Sequence, residues 1–189
     1  MKKRFTLCLM TIFSIFLSVS AENIPAAIRA LHPDGESIDF AFTETKVMPK
    51  IKKTTVKQGT MHFVAPDDLR VDYTDPAGDY MLITKEKFEV QKKGRVQNFN
   101  IKNPERRMGL YRSTLLLCMS GDVEKVANIN EASAEYKTVG GRYVCTITAK
   151  HASAREIASL VLEYDTKSGR LLRMVITEGN DNYTTYEVK

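Results

Sequence analysis

The sequence predicts a mainly β protein: one strongly curved antiparallel sheet with a few helices on one side. Three observations point there. Apolar and polar residues alternate in run after run, the period-two signature of strands with one wet and one apolar face. Short clusters of Pro, Gly, Asn and Asp separate those runs, as hairpins require. A single helical stretch interrupts the strands near the middle, whereas a parallel α/β sheet would alternate the two throughout.

The elements follow in chain order. Residues 2–4 are Lys-Lys-Arg, followed by the apolar run Phe5 to Leu17 and by Ser18-Val19-Ser20-Ala21. A basic start, a short apolar core and small residues before Glu22 describe a secretory signal peptide, residues 1–21. The run is shorter than the roughly 18–20 residues a membrane span needs. Cys8 sits early in that core, with no small residue just before it, and is not read as a lipidation site. The rest, residues 22–189, shows no repeat or linker and reads as one domain. Ile24 to Leu31 reads as a short helix with Pro25 in its first turn, ended by His32-Pro33-Asp34-Gly35.

Strands come next. Ile38, Phe40 and Phe42 share one parity, as do Met61 and Phe63, then Leu69, Val71 and Tyr73, then Phe88 and Val90. Pro66-Asp67-Asp68, Asp75-Pro76-Ala77-Gly78 and Lys92-Lys93-Gly94 are the turns between them. Asn103-Pro104-Glu105 reads as a helix start, with Met108, Tyr111, Leu115, Leu116 and Met119 at helical spacing up to Gly121. Asp122 caps a second short helix carrying Val123, Val126 and Ala127. After Asn130 the strands resume through Tyr143–Ile147, Leu160–Tyr164, Leu171–Thr177 and Tyr183–Val188, with Gly140-Gly141 as a hairpin turn. About ten strands result, too many for a flat sheet, so the sheet must curl, split or close.

The formal net charge of +5 invites a nucleic-acid reading. Residues 1–21 carry three basic side chains and no acidic one, so without them the charge falls to +2. The lysines around 50–57 and 85–93 alternate with polar or acidic residues and read as wet strand faces and edge protection. No nucleic-acid partner is expected. Cys118 and Cys145 remain in an exported, oxidising setting, which leaves a disulfide and two free thiols both open.

Chemistry is scarce. His32, His62 and His151 are far apart and lack metal-ligand spacing. No nucleophile elbow, zinc-protease pair, phosphate-cradling loop or dinucleotide fingerprint occurs. Asp67, Asp68 and Asp79 are read as turn aspartates that bond the backbone. The expectation is a protein without catalytic residues, metal or cofactor. Apolar supply stands out instead: Leu115-Leu116-Leu117-Cys118-Met119 presents bulk on more than one helix face. That segment is either a buried core helix or a lid over a concave sheet, with Met108 and Met119 as adaptable contacts.

One stretch carries a resemblance. Gly59-Thr60-Met61-His62-Phe63-Val64-Ala65-Pro66-Asp67-Asp68-Leu69-Arg70-Val71-Asp72-Tyr73-Thr74-Asp75-Pro76 resembles the hallmark of the LolA family of periplasmic outer-membrane lipoprotein carriers. The pattern is a glycine, an alternating strand, a proline, then an apolar residue, a basic one, an aromatic and a second proline. The strand Ser37–Glu44, the leucine-rich insertion ending at Gly121-Asp122 and the closing Glu178–Val188 hairpin are also similar. Two departures mark a divergent member. The family often places an arginine latch just before the first proline, where this chain has Ala65, and its Asp-Gly turn is replaced by Lys85-Glu86.

The resemblance implies an incomplete β-barrel whose concave apolar face is closed by a helical lid over acyl chains. On that basis Phe40, Phe42, Met61, Phe63, Leu69, Val71, Tyr73, Met81 and Ile83 are the expected cavity residues. A one-residue change of register would put Tyr80 and Leu82 in place of Met81 and Ile83. Met108, Tyr111, Leu115 and Met119 are the expected lid residues. The resemblance further implies a monomeric periplasmic carrier moving acylated lipoproteins or related envelope lipids from inner to outer membrane. Its implied partners are an inner-membrane lipoprotein-releasing ABC transporter and an outer-membrane acceptor. Two other readings stand beside it: a related chaperone or sensor for another envelope lipid or glycolipid, and an envelope lipid-modifying enzyme.

Overall fold

The computed structural model describes residues 23–33, 35–101 and 107–189. The expected signal peptide and the helix start at Asn103-Pro104-Glu105 lie outside the described residues. No helix among the described residues is long and apolar enough to cross a membrane.

After α1 (Ile24–Ala30) come β1 (Ser37–Met48), a 3-10 turn (Pro49–Ile51), β2 (Lys53–Val64), β3 (Asp68–Asp75), β4 (Ala77–Ile83), β5 (Phe88–Lys92) and β6 (Arg95–Phe99). Two helices follow, α2 (Arg107–Met119) and α3 (Val123–Ile129). The chain ends in β7 (Ala132–Val139), β8 (Arg142–Ala149), β9 (Ile157–Asp165), β10 (Leu171–Glu178) and β11 (Tyr183–Val188). All eleven strands form one sheet in the order β6-β5-β4-β3-β2-β1-β11-β10-β9-β8-β7. Each half of the chain is thus an antiparallel meander. The two meanders join where β1 meets β11, with Phe42 opposite Val188 and Val47 opposite Tyr183. β6 and β7 are the two edges, so the barrel stays open.

Local chemistry explains the boundaries. Asn23 caps α1 by accepting the Ala26 amide at 3.2 Å. Gly140 and Gly141 turn the β7–β8 hairpin at φ +56° and +76°, angles that glycine adopts without steric cost. α2 ends at Gly121, φ +69°. The Asp122 amide reaches the Leu117 carbonyl (3.0 Å) and the Gly121 amide the Cys118 carbonyl (3.3 Å), the paired bonds of a Schellman ending. Asp122 then caps α3 by accepting the Lys125 amide at 3.3 Å. At the Lys85-Glu86 turn between β4 and β5, the Thr84 hydroxyl accepts the Glu86 and Lys87 amides at 3.3 and 3.0 Å. That side chain holds the turn that Lys85-Glu86 alone would not favour.

One core lies between the concave face of the sheet and the helices. β1–β5 contribute Phe42, Phe63, Leu69, Val71, Ile83 and Phe88, and the second meander contributes Cys145, Ile147, Leu160, Leu162 and Tyr164. The helices return Ile28, Leu115, Leu116, Met119, Val123 and Val126. Cys118 and Cys145 are both buried free thiols; burial pushes the Cys145 pKa up to about 12 and raises that of Cys118 as well.

Two expectations need correction. Asp79 is not a turn residue: Thr74 already pairs with Ala77, so Asp79 falls inside β4 and is buried. It accepts the Lys93 amide at 2.7 Å and the Lys57 ammonium at 3.2 Å. Lys57 is accordingly half-buried rather than on a wet face, and lies over the Tyr73 ring at 4.2 Å. His32 lies in the expected turn but is buried; its Nδ1 donates to the Ile28 carbonyl at 2.9 Å and its ring meets Tyr164 edge-on.

Candidate functional site

Register decides which side chains share the concave face. Phe40 lies opposite Met61, Met61 opposite Val71 and Val71 opposite Met81, which makes one lateral row. Phe63, Leu69 and Ile83 make a second, and Phe42 meets Tyr73 edge-on across Gly59 with ring centroids 5.7 Å apart. The parity of β4 therefore places Met81 and Ile83, not Tyr80 and Leu82, in these rows. Phe40, Phe42, Met61, Phe63, Leu69, Val71 and Ile83 are buried, while Tyr73 and Met81 are partly buried and pack against them. In α2, Leu115 and Met119 are buried, and Met108 and Tyr111 are partly buried.

The open space lies beside these rows, under the first turns of α2 and against the centre and second half of the sheet. It is a cavity of about 330 Å³, near the lower end of the ~300–1,000 Å³ common for ligand pockets. Met108, Leu110 and Tyr111 form its roof. Ile157, Ile176, Thr184 and Tyr186 form its floor on β9, β10 and β11. Glu44 and Lys46 close one side from β1; Glu178 and the β8–β9 loop residues His151, Arg155 and Glu156 surround the mouth. Of the residues expected from the sequence, Met108 and Tyr111 line this cavity, and the others form the packed wall beside it.

The strands explain why charged residues are present. Glu44 and Lys46 continue the same parity as Phe40 and Phe42 along β1, so the concave face turns from apolar to charged as the strand approaches the cavity. Glu44 is buried and accepts the Tyr73 hydroxyl at 2.6 Å. Burial, reinforced by that carboxylate, raises the Tyr73 pKa far above its ordinary value. Tyr111 and Tyr186 are hydrogen-bonded to one another beneath α2, and burial pushes Tyr111 up to about 12. These phenols stay neutral and act as hydrogen-bonding groups. At the mouth Lys46 pairs with Glu178 at 3.1 Å. The cavity is therefore amphipathic, with a tyrosine and aliphatic interior and a charged opening. Among the described residues, no group of three or more His, Cys, Asp or Glu is placed to hold a metal ion.

Fold and cavity together define an open antiparallel half-barrel with helices packed across its concave face. No family model matches the sequence, and no curated protein does. Solved structures do show likeness. A LolA superfamily protein of Nitrosomonas europaea superposes with a TM-score of 0.41 at 9% identity, over 91% of this chain and 92% of that one. A DUF1329 family protein of Desulfovibrio piger gives a TM-score of 0.44 at 11% identity, over 88% of each chain. The Mycobacterium tuberculosis lipoprotein LppX gives 0.40 at 12% identity, over 90% of this chain and 95% of that one.

Proposed function

We propose that the chain is a periplasmic carrier that takes acyl chains of lipoproteins or related envelope lipids into the cavity beneath α2 and moves them between membranes. The observation that carries this reading is the amphipathic cavity itself: Met108, Leu110, Ile157 and Ile176 offer an apolar interior, and Lys46, Glu178 and Arg155 offer a charged opening beside the His151 ring. An amphiphile has those two parts. The resemblance of residues 59–76 to the carrier family supports the same reading.

The physical need is clear. Exposing one acyl chain of some sixteen carbons to water costs on the order of 13 kcal/mol at 0.8 per CH₂. A carrier must replace most of that burial and still release its cargo, which a roof of flexible side chains over an open cavity permits better than a sealed core. The cavity is small, so loading would shift α2 outward. The reading is of a binding protein rather than an enzyme, and the partners implied by the resemblance are a releasing transporter and a membrane acceptor. Native mass spectrometry of residues 22–189 exposed to palmitate, a lysophospholipid and an acylated lipopeptide tests it. A complex with at least one acylated compound is expected; no complex with any of them overturns the reading.

A further inference from the structure

The strand directions place the cavity mouth and a particular set of turns at one end of the half-barrel. β1, β3, β5, β8 and β10 all end there, and β2, β4, β6, β9 and β11 begin there. The β1–β2 turn is Pro49-Lys50-Ile51-Lys52, with Lys52 held at φ +49° and Lys53 opening β2. Residues 53–57 of β2 run beyond the last partner on β3, since Gln58 pairs with Asp75. This hairpin therefore stands clear of the sheet on that side.

Two kinds of exposure meet at this end. Ile51 at the hairpin tip is 66% exposed, and Val56 in the overhang is 57% exposed. Val96 near the start of β6 and Tyr183 at the start of β11 are also exposed. Around them lie the exposed basic side chains Lys50, Lys52 and Lys53 in the hairpin, Lys92, Lys93 and Arg95 at the β5–β6 turn, and Lys150 and Arg155 beside the cavity mouth. The exposed acidic residues of these turns are fewer: Asp75, Glu131, Glu156 and Asp181, the last paired with Lys50 at 3.4 Å. The turns at the opposite end mix the signs, with Glu36, Asp67, Asp68 and Glu86 against Lys85, Lys87 and, in the β9–β10 turn, Lys167.

We propose that this end docks on an anionic membrane surface, with Ile51 entering the headgroup region and the surrounding lysines facing lipid phosphates. The argument is charge complementarity joined to an exposed apolar tip. Basic side chains concentrate at an anionic bilayer surface, and an aliphatic side chain beside them gains by leaving water. The long lysine stems suit this boundary, since they lie along the apolar layer while the ammonium stays in water. Docked so, the cavity mouth faces the bilayer, and an acyl chain would pass between the two without crossing bulk water. The membrane contact itself is independent of what the cavity holds.

Vesicle co-flotation of residues 22–189, which contain every described element, tests the surface. Vesicles of phosphatidylglycerol with phosphatidylethanolamine are expected to carry at least about tenfold more protein than vesicles of phosphatidylcholine alone, with most binding lost near 0.5 M salt. Ile51→Asp, and separately the triple variant Lys50→Glu, Lys52→Glu, Lys53→Glu, are each expected to lower anionic-vesicle binding several-fold at unchanged melting temperature. The pair Lys85→Glu and Lys167→Glu at the opposite end should leave it unchanged. Equal binding to both vesicle types, or an equal loss in the opposite-end pair, overturns the proposal. Absence of flotation with either vesicle also overturns it, and would give the basic end to an acidic protein surface instead.

Discussion

The Tyr164 hydroxyl donates to the Cys118 carbonyl across 2.7 Å, so the last turn of α2 hangs from β9 by a buried hydrogen bond. Arg112 adds a second tie, from its guanidinium to the Thr84 carbonyl at 2.6 Å. With Ala65 where the carriers that residues 59–76 resemble often place an arginine, these are bonds that hold the helix over the sheet. Tyr164→Phe is expected to cost about 1 kcal/mol of stability in urea unfolding. Amide exchange should also quicken in α2 and α3 while β1 and β2 keep their protection; unchanged exchange in the helices would argue against the tie.

Gly59, the glycine of the hallmark stretch, is required by space. A Cβ there would sit 2.3 Å from the Asp72 carbonyl oxygen and 2.8 Å from the Phe42 ring. Neither the β3 backbone nor a ring wedged against Tyr73 and Tyr186 can retreat freely. Gly59→Ala is expected to lose about 2–3 kcal/mol, read as a lower midpoint in chemical unfolding with an unchanged slope.

Acid should weaken the fold through two carboxylates. The Lys93 amide, with the Lys57 ammonium, holds Asp79 below its ordinary 3.8. Burial alone would raise Glu163, but hydrogen bonds from Arg142 and Arg173 outweigh it and hold Glu163 below its ordinary 4.5. Both folded values are depressed, so the unfolded chain binds more protons as pH falls. The stabilisation is complete above the unfolded values and is lost as pH drops through the folded ones. Melting temperature should be level above about pH 5 and fall below it, and Asp79→Asn should flatten the acid limb.

The cavity reading predicts a charge effect on binding. Leu110 forms part of the roof, and Leu110→Asp would set a carboxylate against an acyl chain. Burying that charge without a partner is costly, so the dissociation constant for a fluorescent fatty acid should rise by at least about tenfold. An unchanged constant at unchanged melting temperature would mean that the chain does not run beneath α2.

Most of the fold was legible because its signals are local. Parity marked the strands, Gly140-Gly141 the hairpin and Asp122 the helix cap, and each rests on residues a few positions apart. Asp79 was misplaced because Asp75-Pro76-Ala77-Gly78 looks like a four-residue turn, whereas the β3–β4 ladder already closes at Thr74 and Ala77. The cavity was harder to read. Lys46 and Glu178 meet only because β1 and β11 pair, and they lie 132 residues apart in the chain. The missed signal was present: Glu44 and Lys46 keep the parity of Phe40 and Phe42, and charge made a concave-face position look like a solvent-facing one.

The two free edges, β6 and β7, are consecutive strands in the chain, and the segment between them contains α2 and α3. The helices are therefore a chord across an open arc. α2 alone, thirteen residues, measures about 20 Å at 1.5 Å per residue, a rigid strut on the order of four strand spacings. Its ties run to β9 in one meander and to the β4–β5 turn in the other, so the strut braces the two halves of the open sheet against each other.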